Sequence, residues 1–136
     1  LVGRQAGLLL ADTTRYAEKQ LFVAQCGVDP ARIAAIGGIE ARGVDLWAER
    51  ERVLDLLTEA GRDLLAAGRV QVLLLGCLSF LGLAHPLSER LGVPVVDPAV
   101  APVALAECLV RQGLKTSRKA YPAPPLRKRT WQGGQL

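Results

Sequence analysis

Methionine is absent from the 136-residue sequence, which opens on Leu1, so the chain is expected to be the trimmed remainder of a longer protein. Long apolar runs are missing as well. No uninterrupted stretch approaches the ~18 residues that cross a bilayer, and the strongest, residues 72–75, is strand-sized; no membrane partner is expected. The first residues lack a charged start followed by a long apolar stretch, so no signal peptide is expected. Cysteine is sparse: Cys26, Cys77 and Cys108 are far apart and form no CxxC pair. An odd, scattered set argues against a disulfide framework and for a reduced, cytoplasmic setting. With the single histidine, His85, isolated, it also argues against a metal site of the zinc type. A phosphate-cradling loop is absent too, because Gly37 and Gly38 lack the flanking residues such loops require.

What is present suffices for a core. Half of the residues are hydrophobic, 22% are charged and the mean hydropathy is +0.22, which excludes a disordered chain. The net charge of +4 is unevenly placed. Six of the 17 basic residues (Lys115, Arg118, Lys119, Arg127, Lys128, Arg129) fall within 114–136, where there is no acidic residue. The preceding residues therefore carry 11 basic side chains against all 13 acidic ones, and the body of the protein is slightly acidic. Residues 114–136 also hold three prolines within 121–125, and Gly133 and Gly134, so an irregular basic tail is expected. Its Arg127, Lys128 and Arg129 beside Trp131 have the chemistry to meet phosphates, but short basic runs are usually solvated extensions, and nucleic acid is not an expected partner.

Before the tail, short apolar runs alternate with helical patterns. Residues 7–12 (GLLLAD), 32–37 (RIAAIG), 70–76 (VQVLLLG) and 93–96 (VPVV) read as strands. The third is apolar on nearly every residue, as a strand buried on both faces requires. Between them, residues 13–25 predict a helix with Tyr16, Leu21, Phe22 and Val23 as its buried stripe. Residues 45–67 predict the longest helix, with Leu46, Trp47, Val53, Leu54, Leu57, Leu64 and Leu65 inward and Glu49, Arg50, Glu51 and Arg52 largely outward. Residues 80–91 read as a helix interrupted by Pro86 and closed by Gly92. Asp97 and Pro98 read as the cap and first residue of a last helix ending near Gly113. The order β-α-β-α-β-α-β-α predicts an α/β fold, a four-stranded parallel sheet flanked by helices.

In such sheets ligands bind at the carboxyl ends of the strands. The segments expected there are residues 12–14, Gly37 with Gly38, residues 76–79, and residues 96–98. Cys77 is the foremost candidate for chemistry. Following a buried strand and preceding a helix, its sulfur would sit among unpaired N–H groups that favour a thiolate. Gly76 would let a ligand approach, and the N–H groups of Leu78 and Ser79 would suit a carboxylate or enolate oxygen. Thr13 and Thr14 offer hydroxyls to a ligand, or cap the first helix. Cys26 and Cys108 read as core or boundary residues, and His85 as a surface or packing residue too far along a helix to pair with Cys77.

Residues 72–77 (VLLLGC), 91–98 (LGVPVVDP) and 106–117 (AECLVRQGLKTS), with 1–10 (LVGRQAGLLL), resemble the aspartate/glutamate/hydantoin racemase superfamily, nearest its hydantoin and allantoin racemase branch. The resemblance implies two similar, flavodoxin-like α/β halves with the site between them, no cofactor, and a small-molecule substrate. It implies one cysteine from each half, one removing the α-proton and the other delivering a proton to the opposite face. Cys77 matches the cysteine of the second half, so the chain resembles the C-terminal half alone. On that basis residues 1–97 are the second α/β domain, 98–113 a helix that returns to the first domain, and 114–136 the tail. Without that partner, the helix face of Val103, Leu105, Ala106, Leu109 and Val110 would be exposed or engaged in a homo-oligomer.

Two departures bear on the substrate. Leu78, Ser79 and Phe80 stand where the family commonly has a small residue or threonine and then glycine. The absence of Thr-His after the cysteine argues against free glutamate. Two alternatives remain open: a relative of the arylmalonate decarboxylases, which use only the second-half cysteine, and a non-catalytic α/β module whose tail binds an acidic partner.

Overall fold

Leucine-rich runs place two strands at the centre of the sheet. In the computed structural model, which describes residues 2–41 and 43–123, these are β1 (Ala6–Leu10) and β3 (Val72–Leu75). They pair directly, Leu9 opposite Leu75, and are flanked by β2 (Ile33–Gly38) and β4 (Val95–Val96). All pairings are parallel, as the alternation of runs and helices predicts, and the strand order is β2-β1-β3-β4. Successive connections diverge after β1, which makes the gap between the carboxyl ends of β1 and β3 the topological switch point.

The chain divides into two units, Leu1–Ala104 and Leu105–Leu136. In the first, the core lies between the sheet and two helices, α2 (Arg50–Ala66) and α3 (Ala84–Leu91). Val53, Leu54, Leu57 and Leu64 recur at helical spacing on α2 and are buried against Leu9, Leu73 and Leu75. No helix among the described residues is long and apolar enough to cross a membrane.

Several local expectations are corrected. The helix α1 (Tyr16–Gln25) buries none of its residues; Tyr16, Leu21 and Phe22 are exposed. Leu21, Phe22 and Val23 are consecutive, so they fan around the helix instead of forming a stripe. A cleft of about 580 Å³, lined by Tyr16, Leu21, Val23 and Ile33, separates α1 from β2. Trp47 is likewise exposed, because α2 begins only at Arg50; the preceding turn is closed by Asp45, whose carboxylate accepts from the Trp47 and Ala48 N–H groups. Pro86 does not interrupt a helix, since α3 starts at Ala84 and proline in a first turn withholds no needed donor. Gly92 does close α3, as expected.

The last helix, α4 (Val100–Arg111), crosses into the second unit and all its residues are exposed. Cys108 is therefore neither a core nor a boundary residue; its sulfur accepts from Gln112 Nε2 at 3.3 Å. The tail residues Arg127, Lys128, Arg129 and Trp131, with Gly133 and Gly134, lie outside the described residues.

Candidate functional site

Parallel pairing in register brings the carboxyl ends of all four strands to one edge, and hydrogen bonds tie their continuations to β1. Gly76 N–H donates to Leu9 O at 2.7 Å, Ile39 N–H to Leu10 O at 2.9 Å, and Ala41 N–H to Ala11 O at 3.1 Å. The second edge segment needs correction. Gly37 and Gly38 are still part of β2, so the residues at the edge are Ile39 and Glu40.

Gly76 is required by close approach. A Cβ there would stand 2.9 Å from Leu10 Cδ2 and 3.0 Å from Leu9 O. Its smallness therefore seats the chain against β1. Cys77 follows, half-buried, in extended conformation. The element after it is not a helix but a 3-10 turn, Leu78–Phe80, closed by a Phe80 N–H to Cys77 O bond of 3.1 Å. A helix cannot continue because Leu81 is extended (ψ 129°) and Gly82 adopts φ +82°, which only glycine takes readily. The N–H groups of Leu78 and Ser79 precede the turn's first bonded N–H, so the turn itself does not use them. Leu78 points its apolar side chain to solvent, whereas Phe80 is completely buried.

Across the switch point, Asp12 caps the turn Thr13–Arg15 through its side chain, which accepts from Thr14 N at 2.9 Å and Thr14 Oγ1 at 2.5 Å. Thr13 Oγ1 donates to Glu40 Oε1 at 2.7 Å. Both threonine hydroxyls thus spend their proton on a carboxylate and present lone pairs.

Two side chains the sequence did not single out for this role hold the Cys77 loop. Arg50, expected on the outer face of its helix, turns inward and donates to Ser79 O at 2.8 Å and to Leu81 O, with Trp47 stacked 5.2 Å from its guanidinium. Asp97 accepts from Gly82 N at 2.8 Å, Ala99 N at 2.8 Å and Val100 N at 3.1 Å, so it caps α4 as expected and also secures the loop. Burial pushes the Asp97 carboxyl up, but those three N–H donors and the Arg50 charge outweigh it and hold it below the ordinary carboxylate value. The stabilisation is then fully present above the unfolded value of ~3.9 and is lost as pH falls through the lower folded value. Asp97→Asn should remove that part of the acid dependence and cost about 1–3 kcal/mol at neutral pH, read by urea unfolding across a pH series.

The remaining candidates lie elsewhere. Cys26 caps the carboxyl end of α1, which leaves the site edge and runs back along the sheet for ~15 Å. His85 is exposed, 3.6 Å from Glu89. Among the described residues no three His, Cys, Asp or Glu side chains gather as a metal site requires.

No protein-family profile matches the chain. Its sequence is 37% identical over 84 residues to a hydantoin racemase of Paenarthrobacter aurescens, covering 60% of this chain and 36% of that one. It is 35% identical over 82 residues to a hydantoin racemase of Pseudomonas sp. (strain NS671), covering 60% and 33%. Its fold matches an allantoin racemase from Pseudomonas fluorescens with a TM-score of 0.68 and 28% identity, over 95% of this chain and 55% of that structure. An allantoin racemase from Klebsiella pneumoniae shares the fold at a TM-score of 0.77 and 22% identity, over 95% and 53%. The chain thus spans about a third of the length of the curated relatives and about half of the two structures.

Proposed function

We propose that this chain, a relative of the hydantoin and allantoin racemases of the aspartate/glutamate/hydantoin racemase superfamily, supplies one of the two acid/base thiols of a cofactor-independent racemase. The substrate is a hydantoin- or allantoin-like small molecule. The observation that carries the reading is the place of Cys77: half-buried, at the carboxyl end of β3, beside the switch point, and followed by two N–H groups its turn does not use.

The Cys77 thiolate takes the proton from the carbon alpha to the substrate carbonyl. The C–H electron pair passes into the carbonyl, giving an enolate whose oxygen accepts from the Leu78 and Ser79 N–H groups. A second thiol, outside these 136 residues, gives its proton to the opposite face of that carbon, and the stereocentre inverts. One thiol ends protonated and the other ionised, so charge and protons balance. The lone pairs of Thr13 and Thr14 accept from N–H groups of the substrate ring.

Incubation of the chain with a 5-substituted hydantoin in D₂O tests this reading. The expected result is deuterium at the α-carbon above the protein-free rate, followed by NMR; exchange at only the spontaneous rate overturns it. The single-thiol alternative, with Cys77 as proton donor in arylmalonate decarboxylation, is favoured by the remoteness of Cys26, and carbon dioxide release from phenylmalonate would mark it.

A further inference from the structure

Arg50 reaches the Cys77 loop from the first turn of α2, a different element from any that carries the loop. Its guanidinium forks onto two carbonyls of that loop, Ser79 O at 2.8 Å and Leu81 O, and also meets Leu46 O at 3.4 Å. The Ser79 carbonyl belongs to the same peptide group as the Phe80 N–H, which in turn donates to Cys77 O at 3.1 Å. One planar peptide therefore links the guanidinium to the backbone of Cys77. In a trans peptide C=O and N–H point oppositely, so the cation that holds the Ser79 carbonyl aims the Phe80 N–H at Cys77 O, whose own peptide group carries the Leu78 N–H. Bonds in such a chain also polarise one another. At the far end of the loop, Asp97 holds Gly82 N–H at 2.8 Å, so the segment is gripped by its carbonyls from one element and by an amide from another.

We infer that Arg50 is a positioning residue for the proposed racemase site, setting Cys77 and the Leu78 and Ser79 amides through the two loop carbonyls it binds. The inference rests on the racemase reading for its catalytic consequence and on the loop geometry for its physical one. The amides act on charge that develops in the transition state, so misplacing them lowers kcat rather than raising KM. Lysine keeps the charge but not the planar fork that spans two carbonyls.

The test compares Arg50→Met and Arg50→Lys with the wild-type 136-residue chain by two readouts. Amide hydrogen exchange in Arg50→Met is expected to accelerate about tenfold or more at Phe80, Leu81, Gly82 and Leu83, and to stay unchanged at Val53, Leu57, Leu9 and Leu73. α-Proton exchange of 5-isobutylhydantoin is expected to lose about 100-fold in kcat with KM little changed, Arg50→Lys falling between. Unchanged loop exchange, or a uniform rise across the sheet and helices, would overturn the inference, as would a KM effect alone. A wild-type chain that exchanges no α-protons refutes the racemase reading instead, and loop protection then still decides whether Arg50 sets the loop.

Discussion

Cys77→Ser is expected to reduce α-proton exchange of a hydantoin by about 10²–10⁴-fold, the usual contribution of a positioned acid/base. The substitution exchanges one atom in a half-buried side chain that makes no cap hydrogen bond, so the loop has no structural reason to move. What changes is the chemistry: a thiol ionises near physiological pH and a serine hydroxyl does not, and only the ionised form takes a proton. The thermal midpoint should therefore stay within a degree or so while the exchange rate collapses. Parallel melting and NMR exchange measurements separate the two. An unchanged rate would remove Cys77 from the site.

The second large effect is on stability. Phe80 is wholly buried although it lies three residues beyond Cys77 in the loop that carries the proposed amides. It packs in the same cluster as Leu9, Leu57, Leu73 and Leu87, so one side chain roots the site loop in the core. Phe80→Ala should cost about 3–5 kcal/mol, because truncation removes the burial of a ring and leaves a cavity that its neighbours only partly fill. Urea unfolding reads the loss as a lower midpoint at unchanged slope. A cost below about 1 kcal/mol would mean the loop is not anchored there.

The sheet and its principal helix were legible because their signals are local. Leucines 8, 9 and 10 and residues 72–75 can only be buried strands or core helix, and their length decides for strands. The stripe of α2 repeats at three and four residues. The place of Cys77 directly after such a strand was legible, as was Asp97 as a cap by its place before a helix. The failures share a different cause. Tyr16, Leu21 and Phe22 are apolar, but apolar character does not say that a partner surface is within reach. Arg50 carries charge at a helix start, where solvent is the usual destination; only the packing of α2 on β1, β2 and α3 brings it to Ser79 and Leu81. Glu40 was missed because β2 runs one residue further than its pattern suggests, which moves the site edge onward. In each case the deciding contact joins segments distant in sequence.

The stereochemistry of exchange tests the central claim most directly. The two enantiomers of 5-isobutylhydantoin, incubated separately with the chain in D₂O, should behave differently. A thiol at one face takes and returns a proton at that face only, so one enantiomer should gain deuterium with retention of configuration and the other should remain at the protein-free rate. Equal labelling of both enantiomers, or inversion accompanying the label, would contradict a site in which these residues supply a single acid/base at Cys77.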